Sequence, residues 1–147
     1  MYSLKKYTEE QLKEIIQNAI CILFRKQPNI FEFTSESGHT EWNFAHHLAN
    51  ELHFFFPEYD CDLEITKHCE SNKTKRPDII YHRRGNHDNN FLVVELKLHE
   101  HKEDDKEKIK SYFFSDPLNY AFGAAIKIDV GMKDLKNIDI LVNPNLP

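Results

Sequence analysis

Residues 76–85 read RPDIIYHRRG and residues 92–97 read LVVELK, with the polar run GNHDNN at 85–90 between them. Each flank is short, apolar and rich in β-branched residues, and the Gly, Asn and Asp between them are turn chemistry, so Asp78–His82 and Phe91–Leu98 read as the two strands of a hairpin. Pro77 stands at the start of the first strand, where a missing amide donor is tolerated. Side chains alternate along a strand, so Glu95 and Lys97 share one face while Val94 and Leu96 point to the other. Asp78 begins the neighbouring strand and reaches the same spot across the hairpin. Two carboxylates and an ammonium therefore converge on one edge of an otherwise apolar sheet.

Working outward, a helix over Thr40 to Phe55, stopped by Pro57, places Glu41, Ala45, Leu48 and Leu52 on one face. A carboxylate heads an apolar stripe there; alone, it is also what the helix dipole favours in a first turn. Upstream, Thr8 followed by Gln11 reads as a capping box, and Leu12, Ile15, Ile16, Ala19, Ile20 and Leu23 recur at helical spacing, predicting a helix over 8–27 that packs on the core and is closed by Pro28. Asp60 to Thr66 alternates like a half-buried strand, and His68 to Lys75 reads as a polar turn. Downstream, the charge-dense segment Glu100 to Lys110 reads as a helix with one apolar edge, followed by strands at Tyr120 to Ile128 and Ile138 to Val142. Gly123 blurs the first of these.

The chain has 147 residues, which favours one domain over 1–147, and its 40% hydrophobic and 12% aromatic content argues against disorder. Cys21, Cys61 and Cys69 form neither a disulfide framework nor a metal-ligand spacing; Cys21 and Cys61 read as core thiols, and a reducing, cytoplasmic location fits. MYSLKKYTEE has no apolar run after its lysines, so it is not a signal peptide, and no stretch approaches the roughly 20 apolar residues of a membrane span. The net charge of -5 is not that of a general nucleic-acid binder, but metal ligands that are themselves carboxylates are compatible with it.

Mg²⁺ or Mn²⁺ takes hard oxygen ligands, which carboxylates supply. Such an ion lowers the pKa of bound water and draws charge from a phosphate, and a neighbouring lysine can orient that water or offset charge in the transition state. Glu41, Asp78 and Glu95 are the candidate ligands and Lys97 the candidate lysine, these four being the candidate catalytic set. Lys73, Lys75, Arg76, Arg83 and Arg84 crowd around Asp78 as candidate nucleic-acid contacts, though such a cluster also suits a solvated hairpin.

RPDIIYHRRG followed by LVVELK resembles the PD-(D/E)XK nuclease superfamily, of restriction-endonuclease-like fold. More narrowly, the chain resembles small single-domain members of it through His39-Thr40-Glu41, Phe56-Pro57-Glu58, Asp62-Leu63-Glu64 and Arg76 to His82. The likeness covers roughly residues 39 to 128. It implies an α/β fold with a central mixed sheet flanked by helices, and a site made by the helix glutamate, the hairpin aspartate and the ExK pair. It also implies the backbone carbonyl of Leu96 as a further metal ligand and DNA, rather than RNA, as the substrate.

Other residues carry two readings. Asp62 and Glu64 either approach the metal or face solvent. His82, in phase with Asp78, supports the site or merely packs. Lys106 and Lys108 touch phosphate or face water. His46 and His47 lack a third partner for zinc. As for function, a phosphodiester-hydrolysing enzyme stands beside a catalytically silent nucleic-acid-binding protein and an accessory subunit dependent on a partner, with a homodimer as one form of that dependence.

Overall fold

A computed structural model describes residues 6–32, 38–69, 73–98 and 104–146. Helix α1 (Glu9–Lys26) begins at the expected capping box: Thr8 Oγ1 accepts from Gln11 N at 3.1 Å, and Gln11 Oε1 accepts from Thr8 N at 2.8 Å. Its buried stripe is Leu12, Ile16, Ala19, Ile20 and Leu23. Helix α2 (Gly38–His53) buries Ala45, Leu48 and Leu52 as its spacing predicts. Both helices lie on one face of a sheet.

That sheet holds β1 (Asp60–Leu63), β4 (Ile79–His82), β5 (Leu92–Lys97), β6 (Phe122–Asp129) and β7 (Asp134–Val142), in the order β1-β4-β5-β6-β7. β5 and β6 run parallel and the other neighbours antiparallel, so the sheet is mixed. The hairpin of β4 and β5 is the one read from RPDIIYHRRG and LVVELK. Between β5 and β6, α3 (Asp105–Lys108) continues as a π-helical turn, Ile109–Phe113, over the second face of the sheet. The first part of the helix expected from Glu100 lies outside the described residues.

Two apolar layers result. Under α1 and α2 the main core holds Ile79, Tyr81, Leu92, Val94 and Leu96, with rings of Phe56, Tyr81, Phe91 and Phe122 in edge contact. On the other face Ile80, Val93 and Ala125 pack against Ile109, Phe113 and Tyr120. Gly123 belongs to this second layer: a Cβ there would stand 2.5 Å from Ile109 Cγ2, so the residue that blurred the strand assignment is what lets the π-helical turn close on the sheet.

Three expectations need correction. β1 stops at Leu63 rather than Thr66, because Glu64 takes a φ of 54° and leaves the extended path. The stretch after it is not only a turn: β2 (Lys67–His68) and β3 (Thr74–Lys75) form a small hairpin whose Cys69 is buried in the second layer. Cys69, not Cys21, is the core thiol. Cys21 is exposed because it falls beside the buried stripe of α1, and Cys61 is only half-buried on an edge strand. Among the described residues no helix is long and apolar enough to cross a membrane.

Candidate metal centre

The hairpin register decides where the acids go. Ile79 pairs with Val94, so Asp78, one residue before β4, comes opposite Glu95. Glu95 in turn pairs with Ala125 of β6, whose methyl leaves room on that face. On the other side, Glu64 N donates to Asp78 O at 3.3 Å. Glu64, Asp78 and Glu95 thus form one row across the sheet, and α2 brings Glu41 to the same end.

Each acid is held differently. Asp78 Oδ2 accepts a 2.7 Å hydrogen bond from Leu96 N. Glu95 is 2% exposed, and Lys108 Nζ stands 3.1 Å from its Oε1 in an ion pair. Glu64 pairs with Arg76 Nε at 3.0 Å.

The electrostatics of the three predicted ligands agree in sign. Burial, followed by the charges of Asp78, Asp105 and Glu64, pushes Glu41 up to about 7. Burial lifts Asp78 as well, against the opposing pull of the Leu96 amide. Burial and then Asp78 raise Glu95 well above the usual carboxylate range. Lys108 is raised: burial works against its charge, but Glu95, Asp78 and Asp105 outweigh it. Burial is the leading cause of all three upward shifts, and buried carboxylates are costly to ionise unless paired or bound to a metal. Among the described residues no three His, Cys, Asp or Glu side chains already stand in a ligating arrangement. Glu41, Asp78 and Glu95 are hard oxygen donors gathered at one end of the sheet, and that donor chemistry fits a divalent cation.

Lys97 follows Glu95 by two residues on β5 and pairs in register with Lys127. It lines a cavity of 370 Å³ with Asp104, Asp105, Lys106 and Asp139. The side chain of His39 lies outside the described residues, as do residues 70–72 of the basic cluster's surroundings.

The basic residues divide. Lys73 and Lys75 lie over the ring of Tyr112, at 5.9 and 4.4 Å, and Arg76 pairs with Glu64, so these three belong to the acid end. Arg83 and Arg84 do not. The length of β4 separates them from Asp78, roughly 13 Å of extended chain at about 3.3 Å per residue. Arg84 grips Asp62 with two bonds, Nη2 to Oδ1 at 2.6 Å and Nε to Oδ2 at 2.9 Å. His82 Nε2 meets the same Oδ2 at 2.7 Å. The Arg84 hydrogen bonds hold Asp62 down at about 2, against burial. Asp62 and His82 thus satisfy each other in rows beyond that of Glu95.

Asp105 is the residue that sequence reasoning missed; Lys108 it left between phosphate and water, and Glu64 between metal and solvent. Lys108 precedes Ile109 on the apolar edge of its segment, and that adjacency was the available signal. The left-handed turn that aims Glu64 inward leaves no mark in the pattern of residues.

Comparison with family models, with curated proteins and with solved structures gave no match.

Proposed function

We propose that this chain is a metal-dependent nuclease of restriction-endonuclease-like fold that hydrolyses phosphodiester bonds, in DNA rather than RNA. The observation that carries the reading is Glu95, a fully buried acid with only a lysine ammonium, that of Lys108, against its Oε1, opposite a second buried acid, Asp78, whose own Oδ2 is fixed by the Leu96 amide. Glu41, Asp78, Glu95 and the Leu96 carbonyl would hold Mg²⁺ or Mn²⁺. Such an ion, when bound, makes water a better nucleophile and draws charge from the phosphate. The chain's own groups do the rest. The amide of Leu96 keeps Asp78 at the row of Glu95. Lys97 brings an ammonium to the end of the same strand, where it offsets charge on the phosphate oxygens. Lys73 and Lys75 line the approach, as cations that position a backbone without reading its bases. The free thiols suit the cytoplasm.

A specific observation favours one second reading. Arg76 and Arg84 are both committed to acids within the chain, and the net charge is -5, so an accessory chain or a second copy that supplies grip on the duplex is the runner-up.

The test is cleavage of linear, supercoiled and single-stranded DNA and of RNA by wild type, Asp78→Ala and Lys97→Ala, with Mg²⁺ or Mn²⁺ and an EDTA blank. Wild type is expected to cut DNA and both variants to be inactive. Cleavage that survives both substitutions contradicts the assignment. Absence of cleavage despite metal binding moves the assignment to the partner-dependent reading.

A further inference from the structure

Lys108 is built into the acid row rather than placed near it. It is the last residue of α3, its side chain is 18% exposed, and its Nζ stands 3.1 Å from an oxygen of Glu95, whose side chain is 3% exposed. A divalent cation binds carboxylate oxygen at roughly 2.1 Å, so it and Lys108 cannot both hold Oε1 without two cations facing each other at a few ångströms. There is somewhere for the lysine to go. Its stem lines a cavity of 250 Å³ with Lys75, Asp104, Glu107, Ser111 and Tyr112. Asp104 stands four residues before it, the helical spacing at which an acid pairs with a following lysine.

We propose that Lys108 is the site's internal counter-ion: it holds the cation's place at Glu95, and an entering divalent ion displaces it into the cavity beside Asp104 and Tyr112. The proposal rests on the metal-dependent reading above, and it makes Lys108 a positioning residue that keeps the carboxylates assembled before the ion arrives. A lysine suits the task because its four-carbon stem swings without moving the backbone.

The test uses protein carrying ¹³C at lysine Cε, with the Lys108 signal assigned by its loss in Lys108→Arg. Titration with Mg²⁺ is expected to move that signal along the same saturation curve that calorimetry gives for binding, and to leave it in place in Asp78→Ala. A second readout is thermal unfolding of Lys108→Met. Its midpoint should fall a few degrees below wild type in EDTA, and the gap should close at saturating Mg²⁺. If Mg²⁺ binds while the Lys108 signal stays in place, or if the stability gap is equal with and without Mg²⁺, the lysine is a fixed structural ion pair and the proposal fails alone. If wild type binds no Mg²⁺, the metal-dependent reading fails and takes this proposal with it.

Discussion

Asp78 is tied to the strand it faces: its Oδ2 accepts from Leu96 N at 2.7 Å, which fixes an acid of one strand at the backbone between Glu95 and Lys97 of the next. Asn in place of Asp78 keeps an oxygen for that amide and removes the charge that, after burial, raises Glu95 and Glu41. Asp78→Asn is therefore expected to raise the unfolding midpoint in EDTA and to lose the stabilisation that Mg²⁺ gives wild type. Such an exchange of function for stability is characteristic of sites that crowd like charges. Thermal unfolding with and without Mg²⁺ checks both halves; a variant less stable than wild type in EDTA contradicts the repulsion.

Glu41 sets a pH dependence whose sign is fixed. Its carboxyl is raised from 4.5 to about 7 in the folded chain. A raised carboxyl contributes stability that is complete below its unfolded value and is lost as pH rises through the folded one. The metal-free protein is thus expected to lose about 1–2 kcal/mol between pH 5 and pH 8 from this residue, the full shift being discounted because Glu41 is partly exposed. Urea unfolding in EDTA across that range measures it, and Glu41→Gln should flatten the profile. Superimposable profiles for the two proteins would rule this origin out.

At the other end of β4, Arg84 is paired with Asp62. Asp62 is depressed to about 2, so its contribution is present above the ordinary carboxylate value and is lost as pH falls through about 2. Arg84→Ala should lower stability at neutral pH, with the difference shrinking in acid, and should leave the salt dependence of DNA binding unchanged. Neutralising Lys75, at the acid end, should lower that dependence. A flatter slope in Arg84→Ala would return this arginine to the substrate path.

Gly123 offers a test of the second layer. The Cβ of an alanine there meets Ile109 Cγ2 at 2.5 Å, an overpacking expected to cost about 1–3 kcal/mol. Adding Ile109→Leu removes the Cγ2 branch that meets this Cβ and should recover part of the loss in chemical denaturation; a Gly123→Ala protein as stable as wild type would show that the π-helical turn yields freely.

How legible was this site in the sequence? Period-two alternation put Glu95 and Lys97 on one face, and a hairpin turn put Asp78 beside them; both are local rules, and the structure follows them. Glu41 was legible because helical spacing tied it to Leu48 and Leu52. Lys108 and Glu64 were not, for a shared reason. Their placement depends on contacts made across the sheet, a π-helical turn in one case and a left-handed residue in the other, and neither imposes a repeat on the chain. Arg84 shows the converse: its position near Asp78 in sequence looked functional, but an extended strand carries neighbours apart at about 3.3 Å per residue. β7 begins at Asp134, earlier than the apolar run Ile138 to Val142 announced, because polar residues pair on an edge strand as readily as apolar ones.

The central claim is that Glu41, Asp78 and Glu95 are a metal site, and calorimetric titration with Mg²⁺ or Mn²⁺ tests it most directly. Wild type is expected to bind a divalent ion with saturating heats, and Asp78→Ala, folded as judged by its unfolding transition, to lose that binding almost completely. Equal binding by the two proteins, or none by wild type, would contradict the claim.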